Sequence, residues 1–205
     1  MEVAVVLVVQ EDPEVVEADL AAGRVACPGC GGRLARWGFG SERQLRSLSG
    51  VRRLRPRRAI CSTCGTTHIL EPAWTVPRLR DTAEVVGAAW QAKVAGAGHR
   101  QIAADLDRPA STVRRWLRRL AVRAEALRAV ATGWLHQLDP TAGPLDPTGS
   151  PLADALEAIG RATAAASRRL GPRASWSTAV ALTGGLVASA PPRRAGVKGG
   201  RQAIP

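Results

Sequence analysis

Residues 27–30 read Cys-Pro-Gly-Cys and residues 61–64 read Cys-Ser-Thr-Cys, with thirty residues between the two pairs. These are the four cysteines of the 205-residue chain. A Cys-x-x-Cys turn lets two thiolates reach one metal ion, and an adjacent glycine frees backbone amides to point at sulfur. Two such turns around hairpin-forming sequence are typical of a zinc ribbon. The sequence therefore predicts one Zn²⁺ bound by Cys27, Cys30, Cys61 and Cys64.

Three alternatives to this zinc site follow from the residues themselves. The same four cysteines could hold iron in a rubredoxin-like site, or they could form disulfides in an oxidising compartment. His68, four residues after Cys64, could replace one thiolate as a ligand. Because four thiolates already complete a tetrahedral shell, we expect His68 to be packed or hydrogen-bonded on the following strand, and the metal to be structural.

Short strand-like segments surround the cysteines. Asp12 and Pro13 begin a helix in the acidic lead, and Pro72 and Pro77 mark a linker over residues 71–80. The predicted strands are Val3–Val9, Leu34–Phe39, Leu45–Leu48 and a basic run over Val51–Ile60 that Pro56 interrupts.

A helical pattern begins after this linker. Residues 81–84 resemble a helix cap, and Val86, Trp90 and Val94 lie four residues apart on one face. A second helix is expected over His99 to about Leu106, and a third from near Ala110. Between them Asp107 occupies a turn position where glycine is common, so we expect a left-handed backbone there.

The third helix has one apolar and one polar face. Val113, Trp116, Leu117 and Leu120 form the apolar stripe, which would anchor the helix while its other face enters the major groove of double-stranded DNA. A solvated amphipathic face is the ordinary alternative. The residues predicted to contact DNA are Ser111, Thr112 and Arg115 in the early turns, Arg118 beside them, and Arg114 and Arg119 on the flanks, nearer phosphate.

The apolar stripe continues beyond Leu120 with a 3.5-residue repeat. A second segment after a Pro/Gly/Asp loop repeats this spacing, which predicts an antiparallel helical hairpin; a homodimer seam is the alternative. A short helical segment near Trp176 and a disordered basic tail over residues 191–205 would follow. The two predicted stripes comprise Ala124, Leu127, Ala131, Trp134 and Leu138, then Leu152, Leu156, Ile159, Thr163, Ala166 and Leu170.

Charge supports an anionic partner. The net charge of +12 comes from 29 basic and 17 acidic residues, and arginine supplies all the basic residues except two lysines. Residues 1–22 sum to −6 and residues 23–80 to +10, an asymmetry that favours nucleic acid. In the basic block we expect Arg52, Arg55 and Arg57 to contact DNA phosphates.

No segment has the character of a membrane span or a secretory signal. The longest apolar run has seven residues, against roughly 20 for a spanning helix, and the first basic residue is Arg24. We therefore expect a cytoplasmic protein with no membrane partner.

The expected fold class is α+β, mostly α. Its predicted parts are an acidic strand-helix lead (1–22), a zinc ribbon with linker (23–80), a helix-turn-helix with an extended third helix (81–138), a C-terminal helical segment (139–190) and the tail (191–205).

Several motifs also carry a resemblance. Cys-Pro-Gly-Cys-Gly-Gly, Arg-Pro-Arg-Arg before the second cysteine pair, Thr67-His68, and the pattern from Gly98-His99-Arg100 to Ser111-Thr112-Val113-Arg114-x-Trp116 are similar to those of an uncharacterised actinobacterial helix-turn-helix family. That family resembles the N-terminal zinc ribbon and helix-turn-helix of insertion-sequence transposases. The resemblance implies DNA binding with the four cysteines as metal ligands, and it carries over no activity.

The expected function is therefore a non-catalytic DNA-binding protein, either a transcriptional regulator or a protein derived from a mobile element. Transposase catalysis uses three carboxylates in a separate domain. After Leu138 this chain has four acids, two of them in a Pro/Gly loop. The alternatives are a DNA-binding subunit that acts with a transposase-like partner, and a protein-interaction module.

Overall fold

Alternating apolar residues in the first third of the chain form strands, and longer amphipathic segments in the remainder form helices. The computed structural model describes residues 5–185, so the predicted tail over residues 191–205 lies outside it. Six helices and two small sheets confirm the α+β class. In chain order the elements are β1 (Val5–Val9), α1 (Pro13–Ala21), β2 (Leu34–Phe39), β3 (Arg43–Arg46), β4 (Val51–Leu54), β5 (Arg57–Cys61), β6 (Thr67–Pro72), α2 (Ala83–Val94), α3 (His99–Asp105), α4 (Ala110–Leu138), α5 (Pro151–Leu170) and α6 (Ser175–Leu182).

The acidic lead is part of the main sheet. Strand order in this sheet is β1-β6-β5-β2, with β1 parallel to β6 and the other pairs antiparallel. Helix α1 begins as predicted, because the Asp12 side chain accepts a hydrogen bond from the Glu14 amide at 2.8 Å. Its buried residues Val16 and Leu20 join a small core with Leu34 and Leu70. We call residues 5–72 the sheet unit.

The basic run divides into two strands at Pro56, as predicted. β4 pairs with β3 in a separate hairpin, and β5 joins the main sheet. The strand predicted at Leu45–Leu48 instead covers Arg43–Arg46, since Ser47 closes the hairpin turn by donating its amide to the Gly50 carbonyl at 2.7 Å. The prediction was therefore two residues out of position, because the turn begins earlier than hydrophobicity suggested.

Residues 71–80 do not form a free linker. Trp74, Val76 and Leu79 are buried, and the amide of Ala83 donates to the carbonyl of Trp74 at 2.9 Å. This segment ties the sheet unit to a second core, whose residues fall between Val76 and Val180. We call the part of the chain around that core, residues 76–182, the helical unit.

Helices α2, α3 and α4 pack around Trp90 and Trp116, both buried. The cap predicted at residues 81–84 is only partly right. Thr82 is the N-cap of α2 but its side chain makes no capping hydrogen bond, and Val94 is 37% exposed near the helix end. Asp81, the first residue of the predicted cap, forms ion pairs with other elements instead.

Helix α4 is continuous over 29 residues, but its seam departs from the predicted repeat. The last buried position is Leu135, while Trp134 is 37% exposed and Leu138 is half-buried. Two consecutive steps of four residues, Leu127 to Ala131 to Leu135, replace the predicted alternation. A straight helix with 3.6 residues per turn drifts against a 3.5-residue repeat, which explains this shift.

Helices α4 and α5 pack together but run in the same direction, so the predicted antiparallel hairpin is wrong. Arg168, in the last turn of α5, pairs with Asp139 at the end of α4 (3.1 Å). Arg161, in the middle of α5, donates to the Gly143 and Pro144 carbonyls at 3.0 and 3.1 Å.

At the other end of α5, the amide of Thr148 donates to Asp154 at 2.7 Å. The pKa of Asp154 is lowered by these bonds from Thr148 and also by Arg128 of α4. The connection over residues 139–150 therefore returns along α5. Twelve extended residues can span about 40 Å, and a 20-residue helix is about 30 Å long, so the connection is long enough to reverse the expected direction.

Small residues of α5 line its contact with α4. Leu170, predicted as a core position, is 55% exposed. The buried apolar residues of α4, from Val113 to Leu135, pack against other helices of the same chain. The buried residues of α5 are Ala155, Ala158, Ile159, Ala162, Thr163, Ala165 and Ala166.

None of the helices between residues 5 and 185 has both the length and the apolar character needed to cross a bilayer.

Two glycines in helix interiors give a matched test of the helical packing. A Cβ on Gly87 of α2 would collide with the Trp176 ring of α6, whereas a Cβ on Gly160 of α5 would meet no atom within 4 Å. Gly160→Ala should raise the free energy of unfolding by about 0.5–1 kcal/mol, because alanine restricts the unfolded chain. Gly87→Ala should lower it by about 1–3 kcal/mol through overpacking. Urea unfolding followed by far-UV circular dichroism measures both; equal stabilisation by the two changes would contradict the α2–α6 packing.

Candidate metal centre and helical surface

The two cysteine turns meet at one end of the main sheet. Cys27 and Cys30 precede β2, Cys61 ends β5, and Cys64 lies in the turn to β6. β2 and β5 are antiparallel neighbours, with Leu34 opposite Cys61, so the pairing brings the turns together. All four sulfurs lie within 4.8 Å of one another, and none is in a disulfide. The predicted residues therefore form one possible metal site.

The sulfur spacing fits a tetrahedral metal ion. An ion about 2.3 Å from each of four sulfurs places neighbouring sulfurs about 3.8 Å apart. The Cys27–Cys64 Sγ distance is 3.8 Å and the Cys30–Cys61 Sγ distance is 3.4 Å. Both distances are far longer than the ~2.05 Å of a disulfide bond.

Each cysteine turn has the same backbone geometry. In the first, the Cys27 amide donates to the Gly32 carbonyl at 2.7 Å, and the Gly31 amide donates to the Cys27 carbonyl at 2.8 Å. In the second turn, the Gly65 amide donates to the Cys61 carbonyl at 3.0 Å, and the Cys61 amide donates to the Thr66 carbonyl at 2.9 Å. Gly31 and Gly65 have φ of +72° and +73°, which explains why glycine follows both cysteine pairs.

Backbone amides point at sulfur in the second turn. The amides of Thr63 and Cys64 lie 3.4 and 3.5 Å from the Cys61 sulfur. The hydrogen bond from the Cys64 amide lowers the pKa of Cys61, and the weaker effect of the Thr63 amide lowers it further. The hydroxyl of Thr66 lowers the pKa of Cys64 to about 6. The pKa values of these two cysteines are thus shifted toward the thiolate form that binds metal.

Cys30 shows the opposite behaviour. The Gly32 amide lowers its pKa, but hydrogen bonds with the neighbouring thiols of Cys61 and Cys64 raise it to about 12. Four negative charges cannot collect in this volume without a counterion. A bound cation would therefore favour ionisation of the remaining thiols.

His68 lies beside the cluster on β6. It is 1% exposed, and its Nε2 is 3.5 Å from the Cys27 sulfur, while its buried Nδ1 has no hydrogen-bond partner within residues 5–185. His68 is therefore packed beside the cluster, within hydrogen-bond distance of one sulfur.

The turn between α3 and α4 is tight. Asp107 has φ of +51°, as predicted. The amide of Asp107 donates to the Ala104 carbonyl at 3.1 Å, and that of Arg108 donates to the Ala103 carbonyl at 2.8 Å. These two bonds are the pattern of a helix ending in a left-handed residue. With Ala103 buried, α4 leaves this turn at Ala110.

The polar face of α4 is open at its N-terminal end. Ser111, Arg114, Arg115 and Arg118 are exposed, and Thr112 and Arg119 are half-buried. Within residues 5–185 none of these four arginines has an ion-pair partner. The opposite face is buried in the helical core through Val113, Trp116, Leu117 and Leu120.

Asp81 is a structural residue that the sequence analysis missed. Its buried carboxylate pairs with Arg46 of β3 at 2.8 Å and with Arg108 of the α3–α4 turn at 2.6 Å. It therefore connects the sheet unit to the base of α4. No local pattern marks it, because its partners are 35 and 27 residues away.

The three predicted arginines of the basic block have different environments. Arg57 has a side chain only 14% exposed, paired with Glu17 at 2.7 Å, and it donates to the Gly38 carbonyl at 3.0 Å. Its guanidinium is therefore engaged in contacts within the chain. Arg52 and Arg55 are exposed, and each lies over an aromatic ring.

Comparison with known proteins places one segment in context. Residues 27–116 match the family described as a domain of unknown function (DUF6431). The matched segment begins at the first cysteine and ends at the buried Trp116, so it contains the metal cluster and the α3–α4 turn. No curated protein and no solved structure matches the chain.

If the cysteine cluster holds a metal ion, removing that ion should unfold the sheet unit before the helical unit. Two of the seven buried residues in the sheet core are Cys27 and Cys61, whereas the helical core contains no cysteine. A chelator, or Cys61→Ser, should abolish hydrogen-exchange protection across residues 25–70 while α2–α6 stay protected. Exchange measured by mass spectrometry tests this, and simultaneous loss in both units would contradict it.

Proposed function

We propose that this chain is a non-catalytic DNA-binding protein, acting as a transcriptional regulator or derived from a mobile element. In this proposal α3 and α4 form a helix-turn-helix, and the cysteine cluster is a zinc ribbon that holds the sheet unit together. The proposed partner is double-stranded DNA, and the proposed location is the cytoplasm.

The observation that carries the proposal is the row of polar side chains at the start of α4 that have no hydrogen-bond or ion-pair partner among the described residues. Ser111, Arg115 and Arg118 follow one another by four and three residues, so they share one helix face. The first turns of a recognition helix contact base edges, and arginine is suited to the two acceptors of guanine. The tight turn at Asp107 sets the angle between α3 and α4, which leaves this end of α4 open for a major groove.

Arg114 and Arg119 flank this face. Arginines at the edge of a recognition helix fit phosphate oxygens, which orient the protein without reading sequence. We therefore assign Arg115 and Arg118 to bases and the two flanking residues to the backbone.

Zinc is the metal that best suits the cluster. Four thiolates in a tetrahedral arrangement are a soft donor set typical of structural zinc. Such a site leaves no open position for water, so it would supply stability and not hydrolysis. Cys27, Cys30, Cys61 and Cys64 would hold the ion, and the resulting charge of −2 reduces the positive charge of the sheet unit.

The proposal assigns no strand-cleavage chemistry to the chain. Two-metal cleavage needs several carboxylates together. Within residues 5–185, the cysteine cluster is the one place where three or more metal-binding side chains converge. A transposase or recombinase that used this chain as its DNA-binding subunit would have to supply the carboxylates from a second chain.

One zinc ion per chain is the first expected result. Elemental analysis of purified protein should give one equivalent of zinc, and the thiols should react with a thiol reagent only after denaturation or chelation. A folded protein with no metal and four freely reactive thiols would rule out the zinc assignment.

The second expected result separates base contacts from phosphate contacts. A preferred duplex is first selected from a random pool. Arg115→Ala should then cost about 1–3 kcal/mol at that duplex and relax preference at one base pair, whereas Arg119→Ala should weaken all sequences alike and reduce the salt slope by about one.

Arg128→Ala is the matched control. Arg128 lies on the same helix and carries the same charge, but its partner is the exposed Glu125. It should change neither preference nor slope. Equal, sequence-independent losses from Arg115→Ala and Arg119→Ala would show that α4 is only a phosphate contact. Binding insensitive to salt would favour a protein-interaction module instead.

A further inference from the structure

A cavity of about 330 Å³ lies beside the main sheet, at the end opposite the cysteine turns. It is lined by residues of α1 and of the β4–β5 connection, among others. Its volume falls at the lower end of the range for small-molecule sites, ~300–1,000 Å³. Its apolar lining includes Val16, Leu70, Pro72 and Trp74, which are mostly buried, and Phe39, which is 49% exposed and whose ring centre lies 4.5 Å from the guanidinium of Arg57. Neither the metal cluster nor the exposed face of α4 takes part.

The rim of this cavity is arginine-rich. Arg52 and Arg55 line it, and within the described residues neither has an ion-pair partner. The guanidinium of Arg52 lies 3.8 Å from the centre of the Trp74 ring, and that of Arg55 lies 5.1 Å from the centre of the Phe39 ring. Stacking on a ring limits the motion of a guanidinium but leaves its N–H groups available to an acceptor.

The other charged groups of the lining do not cancel this positive rim. Glu17 is paired with Arg36 at 2.9 Å and with Arg57 at 2.7 Å. Arg53 is 73% exposed and lies 4.0 Å from Glu42, a weak contact at the surface. Glu11 is the remaining acid, against the two unpaired arginines. The cavity therefore combines an apolar interior with two cations at its edge.

We propose that this cavity binds one nucleotide unit, with the base against the apolar and aromatic surface and the phosphate held by Arg52 and Arg55. A nucleotide matches both features of this lining. Its base has a planar face that can contact the apolar residues, and its phosphate is an anion that can contact the arginines. Stacking and arginine contacts are the general means by which proteins bind unpaired bases. A concave site suits an unpaired unit better than the convex backbone of a duplex.

This chemistry has two sources, a free nucleotide and an unpaired residue of a strand. Isothermal titration of the full metal-loaded chain with dAMP, dTMP, inorganic phosphate, a ten-residue thymidine strand and a blunt duplex distinguishes them. We expect a nucleotide dissociation constant of about 1 mM or tighter, with inorganic phosphate at least about tenfold weaker because the base contributes stacking. If only the strand binds, the source is unpaired DNA; if free nucleotides bind as well as the strand, the site takes the free ligand.

Variants test the assigned residues. The double change R52Q/R55Q should weaken nucleotide binding about tenfold or more, since each removes a charge-assisted hydrogen bond. The charge-matched control R33Q/R100Q changes two exposed arginines outside the cavity lining and should leave binding unchanged. Phe39→Leu should weaken nucleotides more than phosphate. Thermal unfolding confirms that each variant is folded.

Three results would overturn the proposal: no binding of any nucleotide or strand to the folded protein, binding that survives R52Q/R55Q, or a blunt duplex that competes as well as the single strand. The outcome is separable from that of the proposed function. Arg115→Ala should leave nucleotide binding unchanged, and R52Q/R55Q should leave the preferred duplex sequence unchanged.

Discussion

The buried carboxylate of Asp81 joins the parts of this molecule that the sequence separates. It accepts hydrogen bonds from Arg46 in the β3–β4 hairpin and from Arg108 in the α3–α4 turn, at 2.8 and 2.6 Å. Arg108 also donates to the carbonyls of Leu106 and Asp107, both at 2.8 Å. Removing one member of a buried ion pair leaves a charge without compensation, at a cost of about 3–5 kcal/mol. The orientation of α4 relative to the sheet unit therefore depends on this carboxylate.

Within the sheet unit, the cysteine cluster connects two turns that are separated by 30 residues in the sequence. The seven buried residues of that core include two cysteines, and a core of this size is too small to fold strongly without a further constraint. The two cysteine turns repeat one hydrogen-bonding pattern on neighbouring segments, which brings their four sulfurs within 4.8 Å of one another, where one metal ion could bridge both turns.

Arginine has two different uses in this chain, and charge counts do not distinguish them. Arg36, Arg43, Arg46 and Arg57 are paired with Glu17, Glu71 and Asp81, so they hold elements together. The arginines at the start of α4 and at the cavity rim have no such partners in the described part of the chain. The charge of +10 over residues 23–80 therefore overstates what is available to an external anion.

The sequence determined those features that depend on short spacings. The cysteine turns, the start of α1 at Asp12, the left-handed Asp107 and the stripe from Val113 to Leu120 are all fixed by residues within a few positions of one another, where backbone geometry leaves few choices. The tertiary structure decided everything that depends on contacts between distant segments. It set the direction of α5, because a 12-residue connection can run either way, and it buried most of residues 71–79, whose prolines suggested a linker. It also gave Asp81 and Arg57 their partners, since an ion pair over 27 to 40 residues follows from topology and leaves no periodic trace in the sequence.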